Sequence, residues 1–145
     1  MHNHPDCRYM NLERVCSVKD LAGFHGHLGP YVVLGYRIGR YARRYFCEDP
    51  FSMRVDVYCS GTTPQSCLAD GVQLGSGCTL GKRNIEILIS DEMKCVFFAD
   101  GKKIQITPKP YTPPERDSDY ELNIEKYAEE LYYLHDDELF TVEEL

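Results

Sequence analysis

The chain has 145 residues, 43% of them hydrophobic, which is enough for one core and too few for two full-sized domains. Its 16 Lys and Arg residues against 23 Asp and Glu give a net charge of −7, which repels a polyanion, so we expect no nucleic-acid partner. No apolar run is long enough to cross a membrane, and residues 1–9 lack the apolar stretch of a secretory signal. We therefore expect a cytoplasmic protein without a membrane partner.

Two helices are predicted in the first third of the chain. The first begins near Ser17, and the second spans residues 30–45. Within the second, Gly35, Gly39 and Ala42 share one face, where their small size lets another backbone come close. Because glycine costs a helix about 1 kcal/mol relative to alanine, two glycines one turn apart indicate a packing role. We expect a close helix crossing on this face, and our hypothesis is that it lies at a dimer axis.

Another face of the second helix carries three arginines. Arg37, Arg40 and Arg44 recur there at helical spacing. Such a face is consistent with a solvated surface, with pairing to acidic residues of this protein, or with binding of an anionic ligand. The sequence leaves these three interpretations open.

Strands and a third helix are predicted in the middle of the chain. Alternating patterns predict strands at residues 53–58, 84–89, 94–99 and 103–107. Asp100 and Gly101 suit a two-residue hairpin turn between the last two strands. Thr63 is the predicted cap of a helix that continues from Pro64 to about Leu74. The order helix, helix, strand, helix and three strands predicts an α+β fold, with helices on one face of a mostly antiparallel sheet.

The end of the chain is strongly acidic. Residues 117–145 carry 11 acids and one lysine, whereas residues 1–116 carry 12 acids and 15 bases. Four prolines in residues 107–114 predict an extended connector between a core at 1–116 and an acidic tail at 117–145. Helical spacing in the tail predicts one apolar stripe of an amphipathic helix, formed by Ile124, Tyr127, Leu131 and Leu134. That helix is expected to dock on its own core or on a partner subunit, the alternative being a solvated charged helix.

The first candidate site is the segment of residues 24–30, between the first two predicted helices. His25 and His27 flank Gly26, which leaves the backbone free to turn both imidazoles toward one point. Imidazole is a ligand that suits Zn, Ni, Cu and Fe. The alternative is a pair of histidines that cap a helix or make structural hydrogen bonds.

The second candidate site surrounds the start of the third predicted helix. Cys67 falls in its first turn, where free amides and the helix dipole favour the thiolate. Asp70 lies one turn on, where it can accept a hydrogen bond from a ligating histidine or take a proton. Cys59 ends the preceding strand and could face the same space. A buried structural cysteine is the alternative for each thiol.

The third candidate is the glycine-rich segment of residues 73–82, whose turn would aim the Cys78 thiol back at the helix before it. The chain has seven cysteines, an odd number, and without an export signal we expect them to be reduced. Two histidines and two or three cysteines around one helix match a zinc-type site. The predicted ligands of a divalent transition metal, Zn first with Ni and Fe as alternatives, are His25, His27, Cys67 and Cys78.

Three motifs in order resemble a known family. They are residues 24–30 followed by Leu34-Gly35-Tyr36-Arg37, then Cys67-x-x-Asp70-x-x-Gln73, then Gly77-Cys78-Thr79-Leu80-Gly81-Lys82. Over about residues 17–107 the chain resembles the core domain of the E-type subunit of formylmethanofuran dehydrogenase and its relatives. The resemblance implies an α+β core that forms an intertwined homodimer, with a Cys and His cluster lining a cleft that can hold a metal ion. Some relatives carry a C-terminal zinc ribbon, but the tail of this chain contains no cysteine.

The leading hypothesis is a homodimeric metal-binding protein of anaerobic one-carbon or redox metabolism, such as methanogenesis. In it, Asp70 and Gln73 would support the ligands or contact an unknown small-molecule substrate. In the formylmethanofuran system, however, the molybdenum or tungsten chemistry is assigned to other subunits. Fold and family membership therefore do not establish an enzyme activity.

Two further hypotheses stay open. One is a metal-free thiol enzyme with Cys67 as nucleophile, His25 or His27 as base and Asp70 as the orienting acid. The other is a non-catalytic accessory subunit that binds a partner through the acidic tail or the arginine face. The predicted catalytic residues are Cys67, Asp70 and Gln73.

Overall fold

The computed structural model describes residues 6–10, 12–13 and 15–145. Residues 1–5, part of the segment used above to assess a secretory signal, lie outside the described residues. The helices are α1 (Val18–His25), α2 (Pro30–Tyr45), α3 (Leu68–Ser76), α4 (Tyr120–Tyr133) and α5 (Asp136–Leu139). The strands are β1 (Arg54–Cys59), β2 (Ile85–Ile89), β3 (Lys94–Ala99), β4 (Lys102–Pro108) and β5 (Phe140–Glu144). In the described part of the chain, no helix is long and apolar enough to cross a membrane.

The five strands form one sheet in the order β2-β1-β3-β4-β5. Three of the four pairings are antiparallel, and β1 and β2 pair in parallel because α3 connects them as a crossover. This confirms the predicted α+β class and the mostly antiparallel sheet. Asp100 and Gly101 both adopt positive φ, 52° and 76°, so the predicted two-residue hairpin turn between β3 and β4 is also confirmed.

The helices cover one face of the sheet. Val57, Phe97 and Ile106 on that face are completely buried, in a cluster that includes Val32 of α2 and Val72 of α3. Neighbouring strands supply these residues at alternating positions, as the pleat requires. The core therefore lies between the sheet and the α2–α3 layer.

Helices α2 and α3 meet through glycines, and this corrects the dimer-axis hypothesis. A Cβ atom placed on Gly35 would lie 2.0 Å from the Leu68 carbonyl oxygen, and one placed on Gly71 would lie 2.0 Å from the Val32 carbonyl oxygen. The predicted close crossing exists, but its partner is α3 of the same chain. The small-residue face of α2 is thus occupied and gives no support for a dimer.

The start of α3 also differs from the prediction. Thr63 does not cap it, because a short 3₁₀ helix, Gln65–Cys67, comes first and Cys67 is the N-cap residue of α3. As a result α3 begins at Leu68 and continues to Ser76, where Gly77 ends it in the left-handed region at φ 83°.

The acidic C-terminal segment packs on the rest of the chain. Helix α4 lies against α2, and the stripe residue Leu131 is buried in the core cluster. Arg37 of α2 donates hydrogen bonds to the carbonyl oxygens of Leu131, at 3.2 Å, and Tyr132, at 2.9 Å, and pairs with Asp136 at 2.9 Å. One of the three predicted arginines therefore pairs with the acidic segment. The unpredicted strand β5 then adds to the sheet edge at β4.

A candidate functional cleft

A histidine–carboxylate pair lies where α1 ends and α3 begins. His25 is the last residue of α1, and Gly26 follows it at φ 105°, a left-handed conformation that turns the chain toward α2. The His25 Nδ1 atom lies 2.6 Å from Oδ2 of Asp70, in the first turn of α3. The His25 side chain is 10% exposed and that of Asp70 is 39% exposed, so the bond lies at the boundary of the core. The Asp70 carboxylate fixes the orientation of the His25 ring through Nδ1. The other nitrogen of that ring is Nε2.

His27 stands beside this pair on the loop to α2. Its ring centroid is 4.9 Å from that of His25, and the two planes are tilted by 45°. A Cβ atom on Gly29 would lie 3.0 Å from Cε1 of His27, so a side chain there would press on the ring. Since His27 is exposed and His25 is half-buried, the two rings differ in their access to solvent.

Cys67 lies at the N-terminus of α3, as predicted, but the expected thiolate is not favoured. Burial and then the nearby Asp70 carboxylate raise the pKa of the Cys67 thiol, and a backbone hydrogen bond opposes them only partly. Lost hydration and the negative charge of Asp70 therefore outweigh the backbone hydrogen bond. At neutral pH Cys67 is a thiol, which needs a base before its sulfur can react as a nucleophile.

Three other predicted residues lie elsewhere. Cys78 is completely buried past the far end of α3, a helix of nine residues and thus about 14 Å long, with its thiol 3.4 Å from the Met53 carbonyl oxygen. Gln73 accepts a hydrogen bond from the Leu80 amide and so fixes the loop after α3. Cys59 is buried in the core cluster. The structure brings none of the three to the cleft.

His25, His27 and Cys67 line one cleft with a volume of about 930 Å³. Another part of its wall comes from the proline-rich connector and from α4, which the sequence did not associate with the site. The residues of this wall and the adjoining start of α2 include Tyr31, Tyr111, Pro113, Pro114, Arg116, Tyr120, Glu121, Ile124 and Glu125. Tyr111 stands between two prolines in the connector, and that aromatic residue was the available sequence signal.

The predicted four-ligand metal site does not fit this arrangement. Among residues 6–10, 12–13 and 15–145, no three His, Cys, Asp or Glu side chains converge closely enough to hold a metal ion. His25 and His27 supply nitrogen donors and Cys67 a sulfur donor along the cleft, but Cys78 is at the other end of α3. What the cleft does contain is a histidine oriented by a carboxylate and a protonated thiol, both of which line it.

The sequence matches the profile of the family described as FmdE, molybdenum formylmethanofuran dehydrogenase operon, over residues 24–141. The chain belongs to this family. The match includes α4 and most of the segment predicted as an acidic tail, beyond the range of about 17–107 expected from the motifs.

Two individual proteins are similar to parts of this chain. The crystal structure of a tungsten formylmethanofuran dehydrogenase FmdE-like protein from Syntrophus aciditrophicus superposes with a TM-score of 0.59 at 19% identity, over 88% of this chain and 69% of that one, and so shows the fold. A protein of Archaeoglobus fulgidus named probable S-adenosyl-L-methionine-binding protein is 36% identical over 64 residues. That match covers 43% of this chain and only 18% of the relative.

Proposed function

We propose that the cleft binds a small molecule and that His25 and Asp70 are its proton-transfer pair. The observation that carries this proposal is the 2.6 Å contact between His25 Nδ1 and the Asp70 carboxylate, at the edge of a cleft large enough for a metabolite. A carboxylate that accepts the Nδ1 proton holds the ring in one tautomer and leaves Nε2 as the basic nitrogen. It also stabilises the imidazolium that forms when Nε2 takes a proton.

Cys67 is the proposed nucleophile for hydrolysis or group transfer. Its thiol proton passes to Nε2 of His25, its sulfur forms a bond to an electrophilic carbon of the substrate while the bond from that carbon to the leaving group breaks, and the leaving group departs with the proton from His25. Water, or an acceptor in group transfer, then gives a proton to His25 and displaces the sulfur from that carbon, and the proton returns to Cys67. The raised pKa of Cys67 makes this transfer necessary, because little thiolate exists at neutral pH. This role depends on His25 more than on His27, since His25 is the histidine that Asp70 orients.

Alkylation rates test the proposal. Iodoacetamide is applied between pH 6 and 9, and the modification of each cysteine is followed by peptide mass spectrometry, with the exposed Cys7 as internal reference. We expect His25→Ala to slow the reaction of Cys67 at pH 7 at least about tenfold, because general bases contribute this much or more. Asp70→Asn should slow it less, because this variant also removes a charge that raises the pKa of the Cys67 thiol. Cys7 should react equally in every variant. Equal Cys67 rates in the wild type and both variants would refute the proposed base.

Metal binding is the second candidate, favoured by one observation. Histidines that ligate metals usually donate their other ring nitrogen to a carboxylate, as His25 does. We propose metal analysis by mass spectrometry on protein purified anaerobically without a histidine tag, with Cys67→Ser, His27→Ala and, as a control, Cys78→Ser. About one Zn, Ni or Fe per chain that is lost with Cys67 and His27 but kept with Cys78 would support a site in the cleft. A metal-free wild type would rule it out.

A role in anaerobic one-carbon or redox metabolism is a proposal supported by the family and by the description of its operon. An S-adenosyl compound is one candidate ligand, on the strength of the relative named for binding it. The third hypothesis, a non-catalytic accessory subunit, is supported by the large acidic surface of residues 117–145. Retention of a partner protein by the full chain, with Cys67 equally reactive in all variants above, would favour it over the thiol chemistry.

A further inference from the structure

We propose that a second groove, between α2 and the end of α4, binds a phosphate dianion, either free or as the phosphate group of a small monoester. This arginine groove has a volume of about 300 Å³ and is lined by Arg37, Arg40 and Arg44 of α2, by Asp136, and by tyrosines of both helices. It shares none of its described lining residues with the cleft of His25 and Cys67. The inference therefore goes beyond the proposed function and does not depend on it.

The arginine groove reverses the charge of the chain. Three arginines and one acid, Asp136, give its lining a formal charge of +2, whereas the whole chain carries −7. Glu13 lies 3.9 Å from Arg40 but is 80% exposed, so this contact is too long for a hydrogen bond and is weakened by solvent. The adjoining surface adds Arg43 and Glu48, whose charges offset each other. A phosphate monoester carries about −1.5 to −2 at pH 7, which this lining can neutralise.

The three arginines of the groove have different roles. Arg37 is only 14% exposed, and its hydrogen bonds go to the end of α4 and to Asp136, so it holds the two walls together. Arg40 is 32% exposed and donates one hydrogen bond, to the Tyr36 hydroxyl at 3.3 Å. Arg44 is exposed and forms no ion pair with any residue that the structure describes. Because a guanidinium has five N–H donors, Arg40 and Arg44 retain donors for a ligand.

The spacing of these two arginines favours a tetrahedral anion. Arg40 and Arg44 are one helical turn apart, so their side chains begin about 5–6 Å from each other and can reach the same group. Arginine donates in pairs to phosphate oxygens, and a phosphate monoester has three such oxygens, where a single carboxylate has two. Tyr45 and Tyr133, which are 64% and 77% exposed, add accessible hydroxyl donors to the lining.

Phosphorus NMR titrations of the full chain test this inference. The probes are glycerol 3-phosphate and inorganic phosphate, with succinate as a competing dianion whose charge is carried by two carboxylates. We expect both phosphates to bind saturably and succinate to compete only weakly. Tighter binding of glycerol 3-phosphate would support a monoester as the ligand, and equal binding would support free phosphate.

Substitutions locate the binding in the groove. Arg40→Met and Arg44→Met should each weaken glycerol 3-phosphate at least about tenfold, because each removes charge-assisted hydrogen bonds. Arg44→Lys should weaken it less, since lysine keeps the charge but loses the paired donors. The matched control is Arg116→Met, an equal change of charge at an exposed residue that lines the other cleft, and it should leave the affinity unchanged. Circular dichroism checks that each variant is folded.

Three results would overturn the inference. They are the absence of saturable binding by either phosphate, competition by succinate at equal concentration, and binding that is lost in Arg116→Met but kept in folded Arg44→Met. His25→Ala should bind glycerol 3-phosphate like the wild type, because the two sites share no lining residue. A failure of the phosphate site would therefore leave the Cys67 alkylation result intact.

Discussion

The close crossing of α2 and α3 predicts that one methyl group added at Gly71 destabilises the protein. In Gly71→Ala the new Cβ would lie 2.0 Å from the Val32 carbonyl oxygen, whereas ordinary contacts begin at 3.4 Å, so the helices must move apart by more than 1 Å. The obstructing atom is backbone and cannot rotate away. Overpacking of this kind costs up to about 3 kcal/mol, and the better helix propensity of alanine returns about 1 kcal/mol, which leaves a net loss of about 2 kcal/mol.

The matched control is Gly23→Ala in α1, where nothing lies within 4 Å of the new methyl group. At Gly23 only the gain in helix propensity applies, so we expect the free energy of unfolding to rise by about 0.5–1 kcal/mol. Urea and thermal unfolding followed by circular dichroism measure both, and the loss in Gly71→Ala should lower Tm by about 6 °C for a chain of this size. If Gly71→Ala were as stable as Gly23→Ala, the glycine contact would not be the close packing inferred from the structure.

Two further predictions follow from individual contacts, and a third follows from the family resemblance. Arg37→Met removes hydrogen bonds to the end of α4 and should lower the free energy of unfolding by about 2 kcal/mol, as measured by urea titration. The control is Arg44→Met at an exposed position, which should change the same quantity by less than about 0.5 kcal/mol. Burial raises the pKa of Cys78 from 9.0 to about 11, so the folded state holds this proton more tightly than the unfolded chain. Stability should therefore be complete below pH 9 and fall as pH rises toward 11, by up to about 3 kcal/mol, and unfolding of Cys78→Ala should show a shallower decline. The homodimer stays a prediction, which sedimentation at micromolar concentration checks, and a monomer there would count against it.

Local signals account for what the sequence predicted well. Helix α2 spans the predicted residues 30–45 because Pro30 suits the first helical turn and an apolar face repeats through the segment. The Asp100-Gly101 turn was predictable because few other dipeptides adopt positive φ at both positions. The capping box of Ser17 and Asp20 likewise fixed the start of α1 within neighbouring residues. Each of these features is decided within a few positions of the chain.

Features that depend on distant segments were missed or misassigned. The strand Phe140–Glu144 carries two acids in five residues and has no strong strand pattern, so its pairing with β4 is set by the available sheet edge. Cys78 lies in a glycine-rich turn, a position that is typical of a metal ligand. That turn, however, lies at the end of α3 that is far from Cys67. The sequence could not indicate this separation, because it depends on α3 being a continuous helix between the two thiols. The part of the cleft wall that the connector supplies depends likewise on how the connector returns to α2.

The glycine crossing and the candidate site are parts of one arrangement. Asp70 immediately precedes Gly71, whose missing side chain lets α3 approach α2, and the loop before α2 follows directly from His25. The closeness of α3 to that loop therefore helps to set the 2.6 Å contact between the imidazole and the carboxylate. A displacement of more than 1 Å, as expected in Gly71→Ala, would exceed the tolerance of a hydrogen bond. This variant should thus slow Cys67 alkylation at pH 7 even where it is fully folded, whereas Gly23→Ala should not. An unchanged rate in folded Gly71→Ala would mean that the pair is positioned independently of the crossing.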